Sequence, residues 1–129
     1  MTKEIIHTPN APAAVGTYSQ AVKVSNTGKT VYISGQIGLD PNTMTLKDGF
    51  YAQAVQVFDN IEQIAKAAGG SLSDVVKFNV SLANLSDFDE LNKIFESRLV
   101  APYPARAALE VSALPKGALV EIEAILYIE

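Results

Sequence analysis

The sequence predicts a single α+β domain, a mixed six-stranded sheet with two helices on one face, in the order β-β-β-α-β-α-β-β. Three observations lead there. Residues 49–68 place Phe50, Ala54, Val57, Phe58, Ile61, Ile64, Ala65 and Ala68 on one stripe at helical spacing. A second, shorter stripe follows with Phe88, Leu91, Ile94, Phe95 and Leu99. Between them, residues 75–82 alternate Val76, Phe78, Val80 and Leu82 with Val75, Lys77, Asn79 and Ser81, the period of a strand. Two amphipathic helices each need an apolar surface, and one sheet face supplies both. A chain of 129 residues is long enough for one domain with a sizeable core.

The remaining elements follow in order. Residues 3–7 read as a short strand, and Asn10-Ala11-Pro12 begins a loop that runs to Gly16. Residues 18–25 and 29–34 read as strands, with Asn26-Thr27-Gly28-Lys29 as a tight turn between them. Val31 and Ile33 share one face of the second of these strands, Tyr32 and Ser34 the other. Ser34-Gly35-Gln36 closes it, and Asp40-Pro41-Asn42 is a further turn. Asp48 stands where an N-cap would, and Gly69-Gly70 ends the first helix where left-handed backbone costs least. Ser86 opens the second helix, with Asp89 three residues on at capping-box spacing. The last two strands cover 105–111 and 119–128.

Composition excludes several function classes. Apolar residues make up 48% of the chain, which excludes a disordered one. Ten basic residues against fourteen acidic ones give a net charge of −4, with no block of like charge. No basic face is visible, so no nucleic-acid partner is expected. The absence of cysteine removes disulfides and a thiol nucleophile. The lone His7, read as a surface residue, leaves no metal site built from several histidines or cysteines. No glycine-rich phosphate loop occurs, and no cofactor is expected. Met1-Thr2-Lys3-Glu4-Ile5-Ile6 lacks the apolar core of a signal peptide, and no apolar run has the length of a membrane span. A soluble cytoplasmic protein without a membrane partner is the expectation.

The last strand points Val120, Ile122, Ala124, Leu126 and Ile128 one way, and Leu119, Glu121, Glu123, Ile125 and Tyr127 the other. The second set mixes large apolar groups with acids. A sheet face of that kind, left uncovered by helices, suits a subunit interface better than bulk water. A closed homo-oligomer is therefore expected.

Few residues offer chemistry. Arg106 lies in Pro102-Tyr103-Pro104-Ala105-Arg106-Ala107-Ala108, a proline-braced approach to a strand. Alternation puts Arg106, Ala108 and Glu110 on one face, and the small Ala108 leaves room beside the guanidinium. A guanidinium matches a carboxylate with two parallel hydrogen bonds. The competing reading is a structural ion pair with Glu110 or Glu121. Glu121 and Glu123 share a face about 7 Å apart, close enough to separate their pKa values and leave one to move protons. Pairing with a lysine or arginine of the same sheet or of another subunit is the alternative. On neighbouring strands, Arg106 and Glu121 would hold a small carboxylic acid and handle a proton beside it. Tyr18 either bounds a pocket or packs at a strand start. Gly35 permits close backbone approach or a simple bend. Asn92 falls off the apolar stripe and reads as surface, and Lys116 sits exposed in the turn Leu114-Pro115-Lys116-Gly117.

Taken together, the segments resemble the RidA (YjgF) family of enamine/imine deaminases. The resemblance runs through nearly the whole chain. It rests on Asn10-Ala11-Pro12-Ala13-Ala14-Val15-Gly16 with Tyr18, Ser34-Gly35-Gln36-Ile37, Ala67-Ala68-Gly69, and Asp87-Phe88 with Asn92. Tyr103-Pro104-Ala105-Arg106, Leu114-Pro115-Lys116 and Glu121-Ile122-Glu123-Ala124 complete it. The resemblance implies a chorismate-mutase-like fold and a homotrimer with sites between subunits. It implies hydrolysis of 2-aminoacrylate, 2-aminocrotonate and their 2-imino acid tautomers to 2-keto acids and ammonia. It implies Arg106 as the carboxylate anchor and Glu121 as the acid that positions water or moves a proton. Tyr18, Ser34, Gly35, Asn92 and the Ala108 backbone would line the pocket. The alternative is a non-catalytic trimer that binds short carboxylates as a sensor or metabolic partner. Nucleic-acid processing, also attached to the family, fits the acidic composition least. This chain departs from the family in two places. Gly16-Thr17-Tyr18 stands where Gly-Pro-Tyr is frequent, and Ala108 where many members carry cysteine.

Overall fold

The computed structural model describes residues 3–129. Met1 and Thr2, part of the leader reading above, lie outside the described residues.

The first helix forms where its apolar stripe predicts it. α1 spans Phe50–Ala67 and buries Phe50, Ala54, Val57, Phe58, Ile61 and Ala65. Ile64 and Ala68, counted on the same stripe, are exposed. Asp48 is not its cap. Gly49 takes that position at φ 85°, a conformation that favours glycine, and no side chain caps the helix. Gly69, also at positive φ, ends it. The second helix, α2, spans Phe88–Arg98. Neither Ser86 nor Asp89 caps it. A single tight turn over Leu85–Asp87 leads in, and Asn84 starts that turn by accepting from the Ser86 N–H at 2.9 Å.

The described residues form six strands: β1 Lys3–Ile6, β2 Ala21–Val24, β3 Lys29–Gln36, β4 Val75–Leu82, β5 Ala105–Glu110 and β6 Val120–Ile128. They do not form one six-stranded sheet. β1 and β2 pair with each other, and the other four make a mixed sheet in the order β3-β6-β4-β5. β5 runs parallel to β4, which the α2 crossover permits, and β6 runs antiparallel to both neighbours. The break falls between β2 and β3, which do not pair. The segment predicted as a tight turn wraps instead around the Tyr127 hydroxyl, which lies 2.8 Å from Ser25 Oγ and accepts from the Gly28 N–H at 2.5 Å. A Cβ at Gly28 would meet the Tyr127 ring at 2.5 Å, so only glycine passes there. These hydrogen bonds, that from Ser25 first, also hold the Tyr127 pKa below its ordinary value.

Both helices cover one face of the four-stranded sheet. The core lies between, built on Phe58, Phe78 and Phe95, whose rings meet edge-on at 5.1–5.9 Å. Arg98 ties the helices together, donating to Asp59 at 2.9 Å and Glu62 at 3.0 Å. One alternation differs from expectation. An irregularity between Val75 and Lys77 in the pairing with β6 turns Val75 into the core, with 2% exposure, and leaves Val76 half-buried. The other sheet face carries Tyr32, Leu109 and Glu123, all exposed. No helix among the described residues is long and apolar enough to cross a membrane.

Candidate active site

Arg106 is positioned by register. It pairs with Phe78 of β4, and Ala108 with Val80. Phe78 and Val80 are core residues, so Arg106 and Ala108 lie on the helix-covered face, at the edge strand. The guanidinium carbon lies 4.9 Å from the Phe95 ring, 5.3 Å from Phe88 and 5.5 Å from Tyr18. Its Nη1 donates to Asn92 Oδ1 at 2.7 Å and to Thr17 Oγ1 at 2.9 Å. Burial among these groups lowers the arginine pKa, and Tyr18 opposes the shift. Ala108 packs against the core on the same face, two residues along.

The ion pair with Glu110 or Glu121 does not form. Glu110 accepts from the Leu85 N–H at 3.0 Å instead. Among the described residues, no carboxylate lies within ion-pair distance of Arg106. A half-buried cation without a counterion is an unfavourable arrangement, and an anion that docks there relieves it.

Glu121 is not a neighbour of Arg106. It pairs with Ser81 of β4, and β4 separates β6 from β5. Ser81 alternates with the core residues Val80 and Leu82, so Glu121 lies on the uncovered face, opposite to Arg106. Glu123 shares that face, as predicted, and accepts from Asn79 Nδ2 at 3.1 Å. Gly35 is both a bend and a close approach. The β3–β6 register shifts between Ile33 and Gln36, and a Cβ at Gly35 would meet Glu121 Cδ at 2.8 Å. Ser34, exposed, stands beside this bulge. Beyond Gly35, an apolar groove of about 490 Å3 opens between α1 and the loop that carries Leu39, Pro41 and Met44.

Asn92 is not plain surface. It sits four residues after Phe88 and three before Phe95, so it shares their side of α2 and reaches the guanidinium. That spacing was the available signal. Thr17 was not among the expected pocket residues, and only its place in Gly16-Thr17-Tyr18 drew notice in the sequence. It is buried, and its hydroxyl donates to Asn92 Oδ1 at 3.1 Å. Tyr18 is held by its loop, its hydroxyl accepting from the Val15 N–H at 3.3 Å. The next residue anchors the loop to the approach of β5, where the Ser19 N–H donates to Pro104 O at 2.9 Å. Gln20 Nε2 donates to Pro12 O at 2.7 Å, which secures the start of the loop. His7 and Lys116 are exposed and apart from these residues.

One chain therefore presents two separate features, a guanidinium in an aromatic recess and a carboxylate seated on a glycine bulge. The profile of the family described as Endoribonuclease L-PSP matches residues 8–128, a span that contains every residue of both. The chain belongs to the RidA (YjgF) family. A 2-iminobutanoate/2-iminopropanoate deaminase of Bos taurus is 48% identical over 126 residues, 97% of this chain and 90% of the relative. The mouse protein of the same name is 48% identical over 124 residues, 95% of this chain and 90% of the relative. The crystal structure of RidA from the Antarctic bacterium Psychrobacter sp. PAMC 21119 is 68% identical in sequence, with a TM-score of 0.76. That likeness covers 97% of this chain and 99% of the Psychrobacter RidA. Mixed α+β architecture, with two helices on a mixed sheet, is thus a property of the family and of this member.

Proposed function

We propose that this RidA-family protein is an enamine/imine deaminase that hydrolyses 2-aminoacrylate, 2-aminocrotonate and their 2-imino acid tautomers. The products are the 2-keto acid and ammonia. Relatives at 46–48% identity over nearly the full chain carry the name of that activity. The structural observation that carries the reading is Arg106, a half-buried guanidinium with donors to spare and no carboxylate partner among the described residues.

The substrate's own carboxylate supplies the missing anion. A bidentate contact with Arg106 fixes the 2-imino acid by one end and leaves its planar C=N carbon open to attack. An enamine first takes a proton from water at its β-carbon and gives one up from its nitrogen to become the imine. Glu121 then holds a water and accepts one of its protons as the oxygen bonds to the imine carbon. Glu121 passes that proton to the nitrogen, which restores its carboxylate and gives a tetrahedral amino alcohol. Proton transfer from its hydroxyl to the nitrogen, C–N cleavage and re-formation of C=O release ammonia and the 2-keto acid. Water is the sole co-reactant, and no oxidant or cofactor enters the balance.

Arg106 and Glu121 lie on opposite faces of one chain's sheet, so one chain cannot bring them to one substrate. A second copy, laying its Glu121 and Gly35 face against the first copy's Arg106 edge, completes the site. Closed cyclic symmetry repeats this head-to-tail contact, and a homotrimer with three such clefts is the expected assembly. The exposed apolar groups Tyr32 and Leu109 on the uncovered face support burial of that face between copies.

The test generates 2-iminopropanoate in situ and follows pyruvate release with and without the protein. Faster release is expected, whereas a rate equal to the spontaneous one would refute the deaminase and leave a carboxylate-binding protein. Light scattering should report three times the 13.8 kDa chain mass, and a monomer at micromolar concentration would refute the shared site.

A further inference from the structure

We infer that Thr17 is a positioning residue that decides which edge of Arg106 receives the substrate carboxylate. The inference rests on the deaminase reading above and extends it.

Arg106 Nη1 carries two N–H groups, and a guanidinium accepts nothing. One reaches Thr17 Oγ1 at 2.9 Å and the other Asn92 Oδ1 at 2.7 Å, so Nη1 is saturated. The Thr17 hydroxyl has one hydrogen, which it donates to Asn92 Oδ1 at 3.1 Å. The three groups close a ring in which every donor has a fixed acceptor. The guanidinium accepts nothing, so the Asn92 amide must turn its oxygen toward Arg106. Nε and Nη2 have no protein acceptor among the described residues. Neither is sealed from solvent, since no buried side-chain polar atom lacks a partner there. A carboxylate that makes two parallel hydrogen bonds therefore has one fork left, the Nε/Nη2 edge.

Thr17 is buried, at 7% exposure. A valine keeps the shape of threonine but frees one Nη1 N–H. The guanidinium then has a second fork to offer and loses one restraint on its rotation. Substrate binding weakens, while the attack on the imine carbon, which Glu121 serves, changes less.

The experiment compares the full-length wild type with Thr17→Val and Thr17→Ser. Two quantities are read: steady-state deaminase kinetics on 2-iminopropanoate formed in situ, and calorimetric binding of 2-oxobutanoate. Thr17→Val should raise both KM and the 2-oxobutanoate Kd about tenfold, near the lower end for a hydrogen bond to a charged group, with kcat within about twofold. Thr17→Ser, which retains the hydroxyl, should restore both. Unchanged KM and Kd in Thr17→Val, or a serine variant as weak as the valine one, would overturn the inference. Thr17→Ala makes the same comparison if valine impairs folding. Should the wild type fail to accelerate imine hydrolysis, the deaminase reading falls by itself. The binding arm would then still decide whether Thr17 orients the anion site.

Discussion

The two halves of the candidate site are built in opposite ways. Arg106 is gripped from several directions: rings from α2, a phenol from the N-terminal loop, and hydrogen bonds from Thr17 and Asn92. Glu121 rests on the Gly35 bulge with no such restraint, on the other face of the sheet. Under the proposed function, the first is an anchor preorganised within a single chain, and the second acquires its task when another copy arrives. Binding of the carboxylate end should thus be a property of the fold, and chemistry at the imine a property of the assembly.

The largest effect should come from the anchor. Arg106→Ala should lower kcat/KM at least about a hundredfold, roughly 2.7 kcal/mol, as expected for loss of one key electrostatic contact. Activity retained within twofold would assign Arg106 to structure. Glu121→Gln should cost roughly a hundredfold in kcat, the lower range for removing a general base, with 2-oxobutanoate binding retained. A parallel loss of binding would erase the contrast between the halves.

Co-expression of these two inactive variants sharpens the contrast further. Over all the trimers that assemble at random from equal amounts, about a quarter of the clefts combine an intact Arg106 from one chain with an intact Glu121 from the next. Activity should return to about that fraction. A mixture no better than its parts would place both residues' work within one chain.

Smaller changes probe each half separately. Asn92→Ala removes one acceptor from the guanidinium and should raise KM about tenfold, in line with a charged hydrogen bond. Gly35→Ala pushes on the Glu121 carboxylate, whose Cδ would lie 2.8 Å from the new methyl. It should reduce kcat by about threefold to tenfold, since small misplacements of a reacting group are costly, and leave 2-oxobutanoate binding unchanged. A binding defect in Gly35→Ala would show that the halves are coupled.

Much of the fold was legible in the residues. The 75–82 alternation matches β4 in extent, and the buried stripe of α1 was read correctly apart from Ile64 and Ala68. Periodicity reports which residues of one element share a side, and that information is local. It failed at Val75 and Val76, where one extra residue in the pairing reverses the alternation. It failed at the helix starts, where Gly49 holds the position assigned to Asp48 and Asp87 the one assigned to Ser86. Backbone geometry at a cap depends on the chain before it. The site was legible as residue types and only partly as a place. Asn92 read as surface because a helical stripe was counted without asking what lay against it.

By itself, the sequence determined that two amphipathic helices must share one sheet face, that the other face carries Tyr32, Glu121 and Glu123, and that Arg106 and Ala108 point the same way. Each follows from the period of a strand or helix, which covalent geometry sets. Tertiary structure alone decided that β4 separates β5 from β6, and so that Arg106 and Glu121 face opposite ways. It also decided that Thr17 and Asn92 meet the guanidinium. Strand order and the relative phase of strands arise from long-range pairing and from how the helices cover the sheet. No local pattern of apolar and polar residues encodes either.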